Sequence, residues 1–232
     1  MGNLPTGTVA FLMTDIEGST RLVTLLGDSF PKVLDDHLEL LDDAIGSNGG
    51  TLVSSEGDSV FAVFPSVREA IGAAVAAQRA LSEHAWPDGT KVGVRMGVHV
   101  GEAVLGGRDY TGIDVHRTAR VMAAGHGGQI LVTQAVRDLA AGTADEQLAF
   151  RDLGTHSLRD LPDPEHLYQI VAPGLGSDFR PLRSETAVAQ TSLPTFLTRF
   201  VGRTREMREV VELLGRERLV TLIGPGGTGK TR

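Results

Sequence analysis

The alternation of short apolar runs with segments of helical period constrains this chain more than any other feature. Thr8 to Met13 (TVAFLM) is short, apolar and partly β-branched, the pattern of a buried strand. Thr14 to Thr20 (TDIEGST) breaks it with acidic and small side chains. From Arg21 to Ile45 the apolar residues Leu22, Leu25, Leu26, Val33, Leu34, Leu38 and Leu41 recur at helical spacing, with a break predicted near Pro31. Ser47-Asn48-Gly49-Gly50 ends that stretch. Thr51 to Phe64 (TLVSSEGDSVFAVF) then reads as a β-hairpin, two apolar runs around the turn Glu56-Gly57-Asp58. Val67 to Leu81 is a core-packed helix, with Val67, Ala70, Ile71, Ala74, Val75 and Leu81 on one face. Lys91 to Val100 alternates as a strand, Val115 to Ala124 is a short helix, and Gln129 to Thr133 and Leu167 to Val171 are further strands. This order, β-α-β-β-α-β-α-β with further strands, predicts an α+β domain with a mainly antiparallel sheet and packed helices.

The 232 residues leave room for one ordinary domain and a fragment, or for two small domains. A hydrophobic share of 41% against 22% charged residues is enough for a packed core. The net charge of -7, with no long basic run, argues against direct nucleic-acid binding. No apolar run reaches the roughly 18 residues of a membrane helix, and the start lacks the pattern of a signal peptide. The absence of cysteine removes disulfides, thiolate metal sites and a Cys nucleophile, and fits a cytoplasmic location.

Asp15 ends the first strand and Asp58 sits at the hairpin tip, so one sheet edge holds two carboxylates. Such a pair suits Mg²⁺ or Mn²⁺, hard cations that take oxygen ligands; Asp at these places also serves ordinary turns. Glu17-Gly18-Ser19-Thr20 leads into a helix, where free N–H groups either meet phosphate or take a Ser/Thr cap. Near the C-terminus a strand-like run, Leu219 to Ile223, precedes Gly224 to Thr231 (GPGGTGKT). This fits a P-loop, with Gly224, Gly229 and Lys230 for phosphate and Thr231 for Mg²⁺. The chain stops at Arg232, before the rest of an ATPase sheet, so residues 196–232 are expected to be the truncated start of such a domain, without ATPase activity. Residues 173–195, polar and rich in Gly and Pro, read as a linker.

TVAFLMTDIEGST, SSEGDSVFAVF and GIDVHRTARVMAAGHGGQILVT, in this order, resemble the three signature blocks of class III adenylyl and guanylyl cyclases. The third is closest to the form found in actinobacterial multidomain regulators. The resemblance implies a ferredoxin-like cyclase domain over residues 1–172. It implies conversion of ATP, or GTP, to a 3′,5′-cyclic nucleotide and pyrophosphate, at sites shared between the chains of a homodimer.

Asp15, Asp58 and the Ile16 carbonyl would hold two Mg²⁺ or Mn²⁺ ions per site. Glu17, Gly18, Ser19 and Thr20 would cradle the terminal phosphates, and Arg120 would stabilise the transition state. Arg159 stands where the family often has a lysine on the terminal phosphates. Ser54 replaces the usual base-selecting lysine, Asp109 fits the second base-reading position, and His116 replaces an asparagine that orients the ribose. The expectation is a weak or relaxed-specificity adenylate cyclase, with a catalytically impaired nucleotide-binding regulatory domain as the alternative.

Overall fold

The computed structural model describes residues 4–106, 109–141, 148–184, 186–187, 204–216 and 221. The P-loop residues Gly224, Gly229, Lys230 and Thr231 lie outside the described residues. The chain divides into two compact units, Met1–Ala189 and Gln190–Arg232. Within the second, Thr204–Leu214 forms a helix in which Arg205 reaches Glu209 at 3.1 Å, one turn along.

The first unit is built on one twisted sheet. Strand β1 (Gly7–Ile16) lies between β3 (Ser59–Phe64) and β4 (Val94–Gly106), antiparallel to both. Strand β2 (Thr51–Glu56) closes one side by pairing with β3. Beyond β4 come β6 (Ile130–Thr133), β8 (Glu165–Val171), β7 (Ala149–Ser157) and the two-residue β9 (Thr186–Ala187); β5 (Asp109–Thr111) folds back on the end of β4. Among the described residues only the β4–β6 pairing is parallel, so the sheet is mainly antiparallel, as the element order predicts.

Period-two alternation sorts the sheet into two faces. Ala10, Leu12, Ala62 and Phe64 point into the main core. There they meet helix α2 (Phe30–Ser47) through Val33, Leu41 and Ile45, and α3 (Val67–Glu83) through Ala70, Ile71, Ala74 and Leu81. Val9, Phe11, Phe61 and Val63 face the other way and pack with Tyr110, their rings 5.7–6.1 Å apart.

Helix α4 (Ile113–Ala124) lies against β4 because two glycines leave room for it. A Cβ on Gly97 would stand 2.5 Å from the Met122 amide nitrogen, and one on Gly101 would meet the Asp114 carboxylate.

Several boundaries differ from the sequence reading. The first strand runs on to Ile16, so Asp15 and Ile16 belong to the strand itself. The helical stretch after it breaks at Gly27, whose φ is +48°, between α1 (Ser19–Leu26) and α2. Pro31 sits in the first turn of α2, where its missing N–H costs no hydrogen bond. Strands β5 and β7 and helix α5 (Gln134–Ala140) are additional to the predicted set.

Residues 173–184 form a strap on the first unit. Ser177 gives its carbonyl to Arg151 and Gln169, Arg183 donates its N–H to the Ala124 carbonyl, and β9 continues the strap as a strand beside β7. Among the described residues no helix is long and apolar enough to cross a membrane.

Candidate active site

The β1–β3 and β1–β4 registers bring the two acids together. Asp15 stands opposite Arg95 of β4, and the turn between β2 and β3 carries Asp58 beside the end of β1. The Ile16 N–H donates to Asp58 Oδ2 at 3.1 Å, and the Ser59 hydroxyl donates to Asp15 Oδ1 at 3.1 Å. Gly57, with φ +60°, makes the turn tight enough for this return. Burial, reinforced by the neighbouring Asp15 charge, pushes the Asp58 carboxyl above its ordinary value.

Two further side chains fix this edge. Arg95 donates from Nε to Asp15 Oδ2 at 2.9 Å and also through its terminal nitrogen, and it reaches the Ala123 carbonyl. His37, fully buried on α2, donates from Nε2 to the Asp58 backbone carbonyl at 3.1 Å. Burial holds its pKa below the ordinary value, so the ring is neutral and its tautomer is set by that carbonyl.

The donor set fits a divalent cation. A carboxyl raised by burial and by a second carboxylate gains most from a positive charge, and both acids are all-oxygen donors. Among the described residues no group of three or more His, Asp or Glu side chains is placed to hold a metal ion. A cation held by these two acids would take its further ligands from backbone, water or a bound phosphate.

Next to the acids, Gly18 takes the left-handed conformation (φ +74°) and opens α1. Glu17 turns away from that helix start. Its N–H donates to the Gly93 carbonyl at 2.8 Å, and its carboxylate accepts the Gly127 N–H at 2.7 Å and pairs with Arg183. Of the four residues predicted to cradle phosphate, Glu17 thus has both its N–H and its carboxylate committed elsewhere. Gly18, Ser19 and Thr20 remain at the helix start.

The other predicted residues lie on different elements. His116 and Arg120 are one turn apart on α4, His116 exposed and Arg120 38% exposed. Arg120 pairs with Asp160 at 2.5 Å, and Arg159, exposed on the same β7–β8 loop, lies 3.6 Å from Asp160. Asp160 holds φ +60°, a conformation that Asp tolerates better than most residues. One acid thus gathers both arginines. Among the described residues neither arginine is hydrogen-bonded to Asp15 or Asp58. Ser54 is half-buried on β2 beside a register shift, and Asp109 is described through its backbone, which pairs with Gly106.

Helix α4 is itself anchored by a half-buried network of charged and polar groups. Asp114 accepts from His99 and Arg117, and Arg117 Nε lies 2.6 Å from Glu165 of β8.

Sequence reasoning did not find Arg95, His37 or Asp160. His37 carried a readable signal: it falls between Val33 and Leu41 at i,i+4 spacing, on the apolar stripe of α2. Arg95 and Asp160 come to their partners only through strand register and loop geometry.

Residues 3–172 match the adenylate and guanylate cyclase catalytic domain family. An uncharacterised protein of Mycobacterium tuberculosis is 33% identical over 205 residues, which cover 88% of this chain and 70% of the relative. Among solved structures, an adenylate cyclase of Trypanosoma brucei in its monomeric state superposes with a TM-score of 0.71 at 25% identity. The match covers 80% of this chain and 98% of that one. A structure described as adenylate/guanylate cyclase/hydrolase from Silicibacter pomeroyi gives 0.62 at 27% identity, covering 73% and 99%.

Proposed function

Since the chain belongs to the adenylate and guanylate cyclase catalytic domain family, we propose that it is a metal-dependent nucleotidyl cyclase that makes 3′,5′-cyclic AMP from ATP in the cytosol, as a homodimer. The observation that carries this reading is the pair Asp15 and Asp58, held on one sheet edge with Asp58 raised by burial and by Asp15. In the reaction the substrate 3′-oxygen bonds to the α-phosphorus, pyrophosphate leaves with the electron pair of the broken P–O bond, and the hydroxyl proton passes to solvent.

Asp15, Asp58 and the Ile16 carbonyl are the residues that would hold Mg²⁺ or Mn²⁺. Bound there, the cations supply activation of the 3′-hydroxyl and neutralise phosphate charge. Gly18, Ser19 and Thr20 present the start of α1 to the terminal phosphates. Arg120 neutralises charge that builds on the α-phosphate in the transition state, and Arg159 draws on the terminal phosphates. Asp109 and Ser54 read the base. His116 stands at the ribose position with a ring able to donate or accept.

A second copy completes the site. Within one chain Arg120 pairs with Asp160 and makes no hydrogen bond to either acid among the described residues, which supports its serving the acids of the partner chain. Leu25 on α1, and Val104, Leu105 and Ile113 around β4 and β5, expose apolar surface for a partner to cover.

A second reading rests on His116 and Ser54, which alter ribose and base recognition while the acids stay intact. It makes the domain a nucleotide-binding regulatory module without turnover.

An assay of cyclic nucleotide formation from ATP and GTP with Mn²⁺, across protein concentrations, separates the readings. The cyclase reading expects ATP turnover that rises more than linearly with protein and vanishes in Asp15→Asn. A folded, dimeric protein that binds ATP with Mn²⁺ and makes no product selects the regulatory module.

A further inference from the structure

The strap lies outside the family-matched residues 3–172, yet it reaches the candidate active site at two points. Its Arg183 side chain pairs with the Glu17 carboxylate, and its Arg183 N–H donates to the carbonyl of Ala124 at 2.9 Å. Glu17 directly follows the proposed ligands Asp15 and Ile16, and Ala124 ends the helix that carries Arg120. The Pro181 carbonyl is 3.0 Å from His126 Nε2. His126 lies beside the Gly127 whose N–H binds Glu17. Two elements of the site and the glycine turn between them are thus tied by one segment.

We propose that Arg183 is a positioning residue for the phosphate end of the site, acting through Glu17. The inference rests on the cyclase reading above.

Electrostatics gives the contact its direction. The edge already holds two carboxylates, Asp15 and Asp58, and the substrate brings a polyphosphate. Without Arg183, a third negative charge at Glu17 keeps the Gly127 N–H, with Arg180 and His126 Nδ1 farther off at 4.0 and 3.9 Å, and its charge repels the phosphates. Arg183 neutralises that charge and holds the carboxylate toward Gly127, which leaves the Gly18-Ser19-Thr20 helix start open to phosphate. The docked strap is therefore the binding-competent state.

The Arg183–Glu17 pair is partly exposed, with side-chain exposures of 42% and 27%, so it adds little to fold stability. Its effect falls on ground-state phosphate binding, which raises KM when lost and leaves kcat nearly unchanged. Arg180, whose guanidinium is 4.0 Å from Glu17 and 79% exposed, is a neighbour of the same charge at the outer limit of ion-pair distance, with no hydrogen bond to that carboxylate.

The test uses the full chain with Arg183→Glu, Arg183→Lys and Arg180→Glu. Hydrogen exchange over residues 15–22 and 124–129, calorimetric affinity for ATP with Mn²⁺, and steady-state kinetics are compared. In Arg183→Glu, exchange in both segments is expected to rise. Affinity is expected to fall about tenfold, and KM to rise by a similar factor, with kcat within about threefold. Arg183→Lys should stay within about twofold of the parent, because it keeps the charge, and Arg180→Glu within about threefold.

Faster exchange in Arg183→Glu with unchanged affinity would overturn the proposal, and so would an equal loss in Arg180→Glu, which would reduce the effect to bulk charge. If the parent makes no cyclic nucleotide, the cyclase reading fails by itself, and affinity and exchange still decide whether Arg183 positions the loop.

Discussion

The acid edge and the arginine edge of this domain are built in opposite ways. Asp15 stands near the end of β1 and Asp58 in the tight turn before β3, and among the described residues the contacts that fix them come from regular structure: Ser59 and Ile16 on neighbouring strands, Arg95 across the β1–β4 register, His37 from a fully buried helix position. Arg120 and Arg159 stand on a helix surface and a loop, and the acid that gathers them, Asp160, is 63% exposed. One half is finished within the chain. The other is held by an exposed contact weak enough to be exchanged for another, as the proposed shared site requires. A sheet edge can hold strongly interacting charges at fixed spacing. A surface ion pair suits a group that must leave its own chain's partner to serve elsewhere.

The sharpest way to break the comparison is to remove one group from each edge. Asp15→Asn and Arg120→Ala are both expected to cut cyclic nucleotide formation by about 10²-fold or more. They should differ in binding: Asp15→Asn loses Mn²⁺ affinity and Arg120→Ala keeps it. Titration of Mn²⁺ by electron paramagnetic resonance reads that difference. Equal Mn²⁺ affinity in both variants would mean that the acid edge is not the metal half.

A smaller effect concerns stability. The folded chain holds the Asp58 proton more tightly than the unfolded chain, because burial and Asp15 raise its pKa above the ordinary 3.8. The stability from this group is therefore present below that value and is lost as pH rises through the folded pKa. At neutral pH without metal the ionised Asp58 is a cost, so Asp58→Asn should raise the thermal midpoint by a few degrees. The gain should vanish near the ordinary carboxylate range, and Mn²⁺ should stabilise the parent alone. Thermal unfolding across pH 4 to 8, with and without Mn²⁺, tests all three parts. A midpoint that falls in Asp58→Asn at neutral pH would assign Asp58 a structural role instead.

The smallest effect is expected at the latch of the arginine edge. Asp160→Ala removes an exposed ion pair and frees Arg120, so stability should change by no more than about 1 kcal/mol. Activity should stay level or rise up to about threefold. A loss as large as that of Arg120→Ala would make Asp160 part of the working site.

The acid edge was also the more legible half. Short apolar runs placed β1, β2 and β3, and the turn chemistry of Glu56-Gly57-Asp58 placed the hairpin that returns Asp58 to Asp15. What escaped was the supporting contact from Arg95, which is 80 residues from Asp15 in sequence and meets it only through strand register. The strap read as a linker because its composition is polar and aperiodic; it docks through backbone carbonyls, two arginines and the isolated apolar residues Leu175 and Leu182, which leave no hydrophobic period. Helix α5 has seven residues and β5 three, too few for a period to emerge. Strand β7 lost its alternation at the shift between Asp152 and Gly154.

Mixing two silent variants tests the division of labour most directly. Purified Asp15→Asn and Arg120→Ala chains are combined in equal amounts, allowed to exchange subunits, and assayed for cyclic AMP with Mn²⁺. If the acid edge of one chain works with the arginine edge of another, half of the dimers regain one intact site. Activity should then return to about a quarter of the parent rate, the statistical share of intact sites. A mixture that stays as silent as its components, while subunit exchange is seen directly, would contradict the account and place both edges in the service of a single chain.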